Sequence, residues 1–251
     1  MSFYRRSKFS YMKRKISKPQ FYTKHRCLNS TDIYPELDEF YQIAIFDPGY
    51  VSCGLRIVRY NLVEKTMNVI FFSILNFGTE MCDIMLNLNI ELQKISKYLK
   101  DCHHIIIEKQ LMKGVKGYQT FSTLLYEIVN SICESGMRSM LLLVDCKIKT
   151  TFLGGPSTKR ENNSQEMKEW IFEKTGKIPE NGTVEIKEWT KMKSRKFSIE
   201  RGDLITYHIL ENSKYKGNED LSDTVCYEYA WIMYVIQNED IFLPFDRNFL
   251  L

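Results

Sequence analysis

The amino-acid sequence predicts an α/β fold, a mixed five-stranded sheet flanked by helices. Three observations carry that prediction. Runs rich in β-branched and aromatic residues cluster early, within 42–75, with turn residues between them. Two later runs, 105–108 and 140–146, are too apolar to expose either face and read as buried strands. Between and after them the apolar residues recur at helical spacing. The resulting order is βββαβαβα, in a chain of 251 residues that is long enough for one substantial domain with insertions.

Taken in order, 42–58 holds Ile, Ala, Phe, Leu and Val around Pro48-Gly49, which predicts a strand, a tight turn and a second strand. MNVIFFSIL (67–75) predicts a third, and proximity joins the three as an antiparallel meander. Met81, Ile84, Met85, Leu88, Ile90, Leu92, Ile95 and Leu99 form a helical stripe that 101–104 ends. After the strand 105–108, Phe121, Leu124, Leu125, Ile128, Val129, Ile132 and Cys133 repeat at three and four residues, with Gly136 just beyond. Further helices are expected near 197–212 and 221–235. The stretch 154–195, with its polar turns and short apolar runs, reads as an insertion or flap without a core of its own. The domain is thus expected over 39–251, preceded by an arm over 1–38.

Charge separates arm from domain. Residues 1–30 carry nine Lys or Arg and no acid, whereas the whole chain is only +4, so the remainder is net acidic. The arm interleaves Phe and Tyr with its charges and lacks apolar periodicity, so it is expected to be disordered alone. It can serve as a phosphate-tracking tail, a targeting peptide or a solubilising extension. No apolar run approaches the roughly 20 residues of a membrane span, so a membrane protein is not expected. Seven cysteines without a CxxC pair, and no secretory signal peptide, indicate a reducing intracellular compartment. The four histidines fall outside any zinc-ligand spacing.

The candidate chemistry lies in three acidic clusters, each at the edge of an apolar segment. Asp47 ends the strand-like IAIF before Pro-Gly, and Glu108 ends the III run. If those strands are neighbours, the two carboxylates can bridge metal ions, because hard divalent cations take oxygen ligands. Asp220 and Asp223 lie three apart and share one face of a helix start. The plain alternative for them is helix capping by Asp220.

Together these residues resemble a known family. DPGYVSCGL matches in type and spacing the first motif of bacterial RuvC, an Asp followed by Pro-Gly and a second glycine before the next strand. IIIEKQ ahead of a long amphipathic helix resembles the second motif, and EKQ is similar to the variant of mitochondrial and poxvirus-type resolvases. NEDLSDTV resembles the terminal DxxD motif that opens the last helix. Over roughly residues 42–236 the chain therefore resembles the RuvC-like Holliday junction resolvases of the RNase H-like superfamily. The resemblance implies an RNase H-like sheet and a crossover junction endodeoxyribonuclease serving DNA recombination, repair and replication. Asp47, Glu108, Asp220 and Asp223 would be catalytic and would hold Mg²⁺ or Mn²⁺, two ions in all. The partner would be branched DNA, and the working unit a homodimer, with the helix 121–133 as either its interface or a core helix.

Expected DNA contacts are Lys109 and, on the loop LMKGVKGYQ, Lys113, Lys116 and Tyr118, where two glycines let backbone approach phosphate; the alternative for the loop is a plain surface turn. Lys149 joins them, with Lys147, Lys193, Arg195 and Lys196 as further candidates whose alternative is solvated surface. Bacterial RuvC wedges an aromatic into the junction after its second acid, and here Leu111 and Met112 occupy that neighbourhood. The poxvirus-type motif suits a viral replication site in host cytoplasm, with mitochondrion or nucleus as alternatives. Two other functions stay open: a non-catalytic DNA-binding relative, and an actin-like ATPase, which would need a second DxG loop that the sequence lacks.

Overall fold

The structure is a computed structural model, and it describes residues 39–49, 52–78, 80–109, 114–134, 140–157, 165–175, 182–212 and 218–235. The arm therefore lies outside the described residues, as do Leu111, Met112 and Lys113.

Three strands open the domain: β1 (Phe40–Pro48), β2 (Ser52–Asn61) and β3 (Thr66–Asn76). Then come α1 (Met81–Leu99), β4 (His104–Glu108), α2 (Gly114–Glu134) and β5 (Met140–Val144). The remainder is helical: α3 (Lys147–Leu153), α4 (Gln165–Thr175), α5 (Gly182–Glu200), α6 (Leu204–Glu211) and α7 (Asn218–Val235). The strands form one sheet in the order β3-β2-β1-β4-β5. β1 pairs antiparallel with β2 and parallel with β4, and β5 continues parallel beyond β4. This is the mixed five-stranded sheet, flanked by helices, that the sequence predicts.

Alternation along the strands divides the core in two. Ala44, Phe46, Leu55, Ile57, Ile105 and Ile107 point to the face covered by α1 and α2, where they meet Ile84, Leu88, Phe121, Leu124 and Ile128. Tyr41, Ile43, Ile45, Val58, Tyr60 and Ile106 point to the other face and meet Tyr227 and Trp231 of α7. The apolar stripe of α2 is accordingly core through Phe121, Leu124 and Ile128.

Two helical expectations change. The predicted helix over 197–212 is two helices, because Gly202 takes φ 69° and Asp203 then caps α6 by accepting from the Thr206 N–H. The insertion is helical over 165–175 and from 182 onward, and α5 docks on α7 with Trp189 and Ser194 buried. Among the described residues no helix is long and apolar enough to cross a membrane.

Candidate metal centre

The register of β1 against β4 brings the first two acids together. Phe46 pairs with Ile107, so the next residues on these parallel strands, Asp47 and Glu108, end the strands side by side. Both share the inward parity of Ile43, Ile45 and Ile106, so both project onto the α7 face. There Asp223 completes a group: one carboxylate oxygen from each of Asp47, Glu108 and Asp223 lies within 4.8 Å of the others.

A glycine on β2 makes room for the helix that brings Asp223. Gly54 pairs with Asp47 across the β1–β2 ladder. A Cβ on Gly54 would stand 2.7 Å from the Asp220 carbonyl oxygen and 2.8 Å from its carbon, distances that backbone cannot yield without moving the helix. The second glycine of DPGYVSCGL thus lets the first turn of α7 rest on the sheet beside Asp47.

Asp220 takes a different place from its three partners. It sits in the first turn of a helix that begins at Asn218, so it is not the cap residue, and its carboxylate is outside the three-acid group. It is half-buried at the rim, where burial first, then Asp223 and Glu219, raises its pKa to about 6. Its negative charge still favours the α7 N-terminus.

Lys149 is the residue that sequence reasoning placed elsewhere. Expected to contact DNA from the surface, it is instead 5% exposed, because α3 begins directly beyond β5 and turns it inward. Its Nζ lies 2.5 Å from Asp223 Oδ1 and 4.9 Å from the Tyr227 ring centroid. Lys109 is exposed just past Glu108, at the mouth of the site. Lys116 and Tyr118 lie in the first turns of α2 rather than on a loop, since that helix starts at Gly114.

The electrostatics are those of a site short of positive charge. One ammonium faces three buried or half-buried carboxylates. Burial, then Glu108 and Asp223, pushes Asp47 well above the ordinary carboxylate range, so the metal-free cluster disfavours its fully ionised state. Glu108 Oε2 is buried and accepts no hydrogen bond. An acceptor in that condition, within an all-oxygen donor set, fits a hard divalent cation such as Mg²⁺ or Mn²⁺ better than a metal that favours nitrogen or sulfur ligands.

No protein-family model matches the chain, and no curated protein matches it. Among solved structures, RuvC of Thermus thermophilus is similar over 77% of this chain and 96% of its own, at 10% identity and a TM-score of 0.45. The Holliday junction resolvase of fowlpox virus is similar over 77% of this chain and 99% of its own, at 12% identity and a TM-score of 0.41. That resolvase in complex with its substrate Holliday junction DNA covers 75% of this chain and 96% of its own, at 12% identity and a TM-score of 0.40. At these values the likeness decides neither chemistry nor substrate.

A second buried charge cluster lies one turn further along α7. Arg56 Nε donates to Glu228 Oε2 at 2.5 Å, its Nη1 to Thr206 Oγ1 at 2.7 Å and its Nη2 to Asp203 Oδ2 at 2.9 Å. Tyr60 and Arg201 both donate to the other Glu228 oxygen. The cluster ties β2, the end of α5, α6 and α7 into one unit, and it thereby fixes the helix that carries Asp223. No local pattern announced it, although Arg56 occupies an inward strand position between Gly54 and Val58.

Proposed function

We propose that the chain is a divalent-metal-dependent endonuclease that resolves four-way DNA junctions by hydrolysing paired phosphodiesters. The observation that carries this reading is the convergence of Asp47, Glu108 and Asp223 at the ends of two adjacent strands and a helix. The motif resemblance of DPGYVSCGL, IIIEKQ and NEDLSDTV supports it independently of that geometry. The fowlpox resolvase, whose structure holds Holliday junction DNA, supplies the substrate class we carry over.

In this reading Asp47, Glu108 and Asp223 hold the metal, and Asp220 reaches it from the rim. When bound, divalent ions supply Lewis-acid activation of the attacking water and stabilise the leaving oxygen. Lys149 keeps Asp223 in place and offsets one of the three negative charges, so the metal-free domain can fold without full repulsion among them. Gly54 holds the distance between α7 and β1. Lys109, exposed beside Glu108, meets the phosphate backbone at the mouth of the site, where basic side chains position DNA without reading its sequence. Cutting two strands of one junction requires two such centres, so we take the working unit to be a two-fold dimer.

The test is cleavage of a synthetic four-way junction in Mg²⁺, beside duplex and flap substrates. Wild type should cut the junction preferentially. Asp47→Asn and Glu108→Gln should lose cleavage by about a thousandfold or more, since several kcal/mol of transition-state stabilisation disappear, while still binding the junction. Normal cleavage by either variant refutes the reading, and equal cleavage of duplex refutes its junction specificity.

A further inference from the structure

Two buried polar atoms at the metal centre lack hydrogen-bond partners, Glu108 Oε2 and the Tyr227 hydroxyl. Tyr227 follows Asp223 by four residues and so lies one turn along the same face of α7. Its ring packs with Ile106 and Val144, of which Ile106 lies two residues before Glu108 and Val144 pairs with Glu108 in the β4–β5 ladder. The ring face also receives the Lys149 ammonium, 4.9 Å from its centroid. The phenol is thus the floor of the site, wedged between its one cation and its carboxylates.

Glu108 is the first among the carboxylates acting on the phenol, and it lies within hydrogen-bonding reach. Yet neither oxygen has a partner of good geometry as the side chains stand. A donor and an acceptor left unmade in a buried site are each costly, and these two lie close enough to satisfy one another. A phenol hydroxyl beside a carboxylate oxygen supplies the hydrogen, so here Tyr227 is the donor and Glu108 the acceptor.

We propose that Tyr227 is a positioning residue of the metal centre, its hydroxyl donating to Glu108 Oε2 and turning the other Glu108 oxygen towards Asp47 and Asp223. This rests on the metal-site reading above. A single donor on one oxygen leaves Glu108 a one-oxygen ligand with a fixed direction, and groups that orient a ligand in this way change metal affinity by about 10- to 100-fold when removed. The sequence offers a Tyr where a Phe would fill the same apolar volume, and the hydroxyl is the part that packing does not require.

The experiment uses the full chain and its Tyr227→Phe and Asp47→Asn variants, titrated with Mn²⁺ and followed by electron paramagnetic resonance and by thermal unfolding. Tyr227→Phe should fold and keep most of its metal-free melting temperature, because the ring that fills the buried volume is unchanged. Its Mn²⁺ affinity should fall about tenfold or more, with a correspondingly smaller thermal shift on adding Mn²⁺. Wild-type Mn²⁺ affinity in Tyr227→Phe overturns the proposal, whether its metal-free melting temperature is unchanged or reduced. The Asp47→Asn arm separates this failure from failure of the metal site itself. If Asp47→Asn has lost Mn²⁺, only the role of Tyr227 has fallen; if it binds Mn²⁺ as wild type does, the metal reading has fallen with it.

Discussion

Helix α7 passes over two buried charge clusters that differ in their balance. Around Glu228, two guanidiniums face two carboxylates, those of Glu228 and Asp203. Around Asp223, one ammonium faces three carboxylates. Burial alone would raise Glu228, but Arg201 and Arg56 outweigh it and hold its pKa at about 2. At Asp47 burial and neighbouring acids act together, and its pKa stands well above the ordinary range. Among the described residues, the same helix and the same sheet face thus carry one cluster balanced by cationic side chains and one that is not. The first is a structural joint; the second has a deficit of the kind that, in the proposed function, a divalent ion would fill.

The sharpest way to break that contrast is to unbalance the joint. Glu228→Gln leaves Arg56 and Arg201 without their shared carboxylate, and removing one partner of a buried pair costs about 3–5 kcal/mol. Denaturant unfolding should show that loss. A change below about 1 kcal/mol would mean that the joint is not what fixes α7.

Acid and base should then act on the two clusters in opposite directions. The Glu228 value is depressed from 4.5 to about 2, so its contribution to stability is present above about pH 4.5 and is lost as pH falls towards 2. The Asp220 value is raised from 3.8 to about 6, so its contribution is present below about pH 4 and is lost as pH rises through 6. Metal-free protein should therefore lose stability between about pH 4 and pH 6 as well as in acid. Asp220→Asn should flatten the upper limb alone, by a smaller amount than Glu228→Gln costs, and a pH profile that keeps its upper limb in that variant would place the titrating group elsewhere.

Much of the sheet was legible because its signals are local. Asp47 and Glu108 each end an apolar run, and once β1 and β4 are neighbours their register leaves the two acids side by side. The stripe from Met81 to Leu99 gave α1 with its observed bounds, since successive turns of that helix bury Ile84, Leu88, Leu92, Ile95 and Leu99. What was not legible depends on tertiary placement. α5 is rich in Lys and Glu and carries few apolar residues, yet Trp189 and Phe197 suffice to seat it. Two glycines made 113–118 read as a loop, whereas α2 already runs from Gly114. Lys149 faces inward because a short helix begins at Lys147, directly after β5, and buries it. The Arg56–Glu228 pair joins residues 172 positions apart, a separation that no periodicity marks.

The central claim is that the Asp47–Glu108–Asp223 cluster takes up a divalent cation in place of a proton. Calorimetric titration with Mn²⁺ near neutral pH, run in two buffers of different ionisation enthalpy, reads both the binding and the protons it releases. Wild type should bind with net proton release, and Asp47→Asn should lose both. Absence of binding by wild type, or binding by Asp47→Asn with the same affinity and proton release, would contradict the claim.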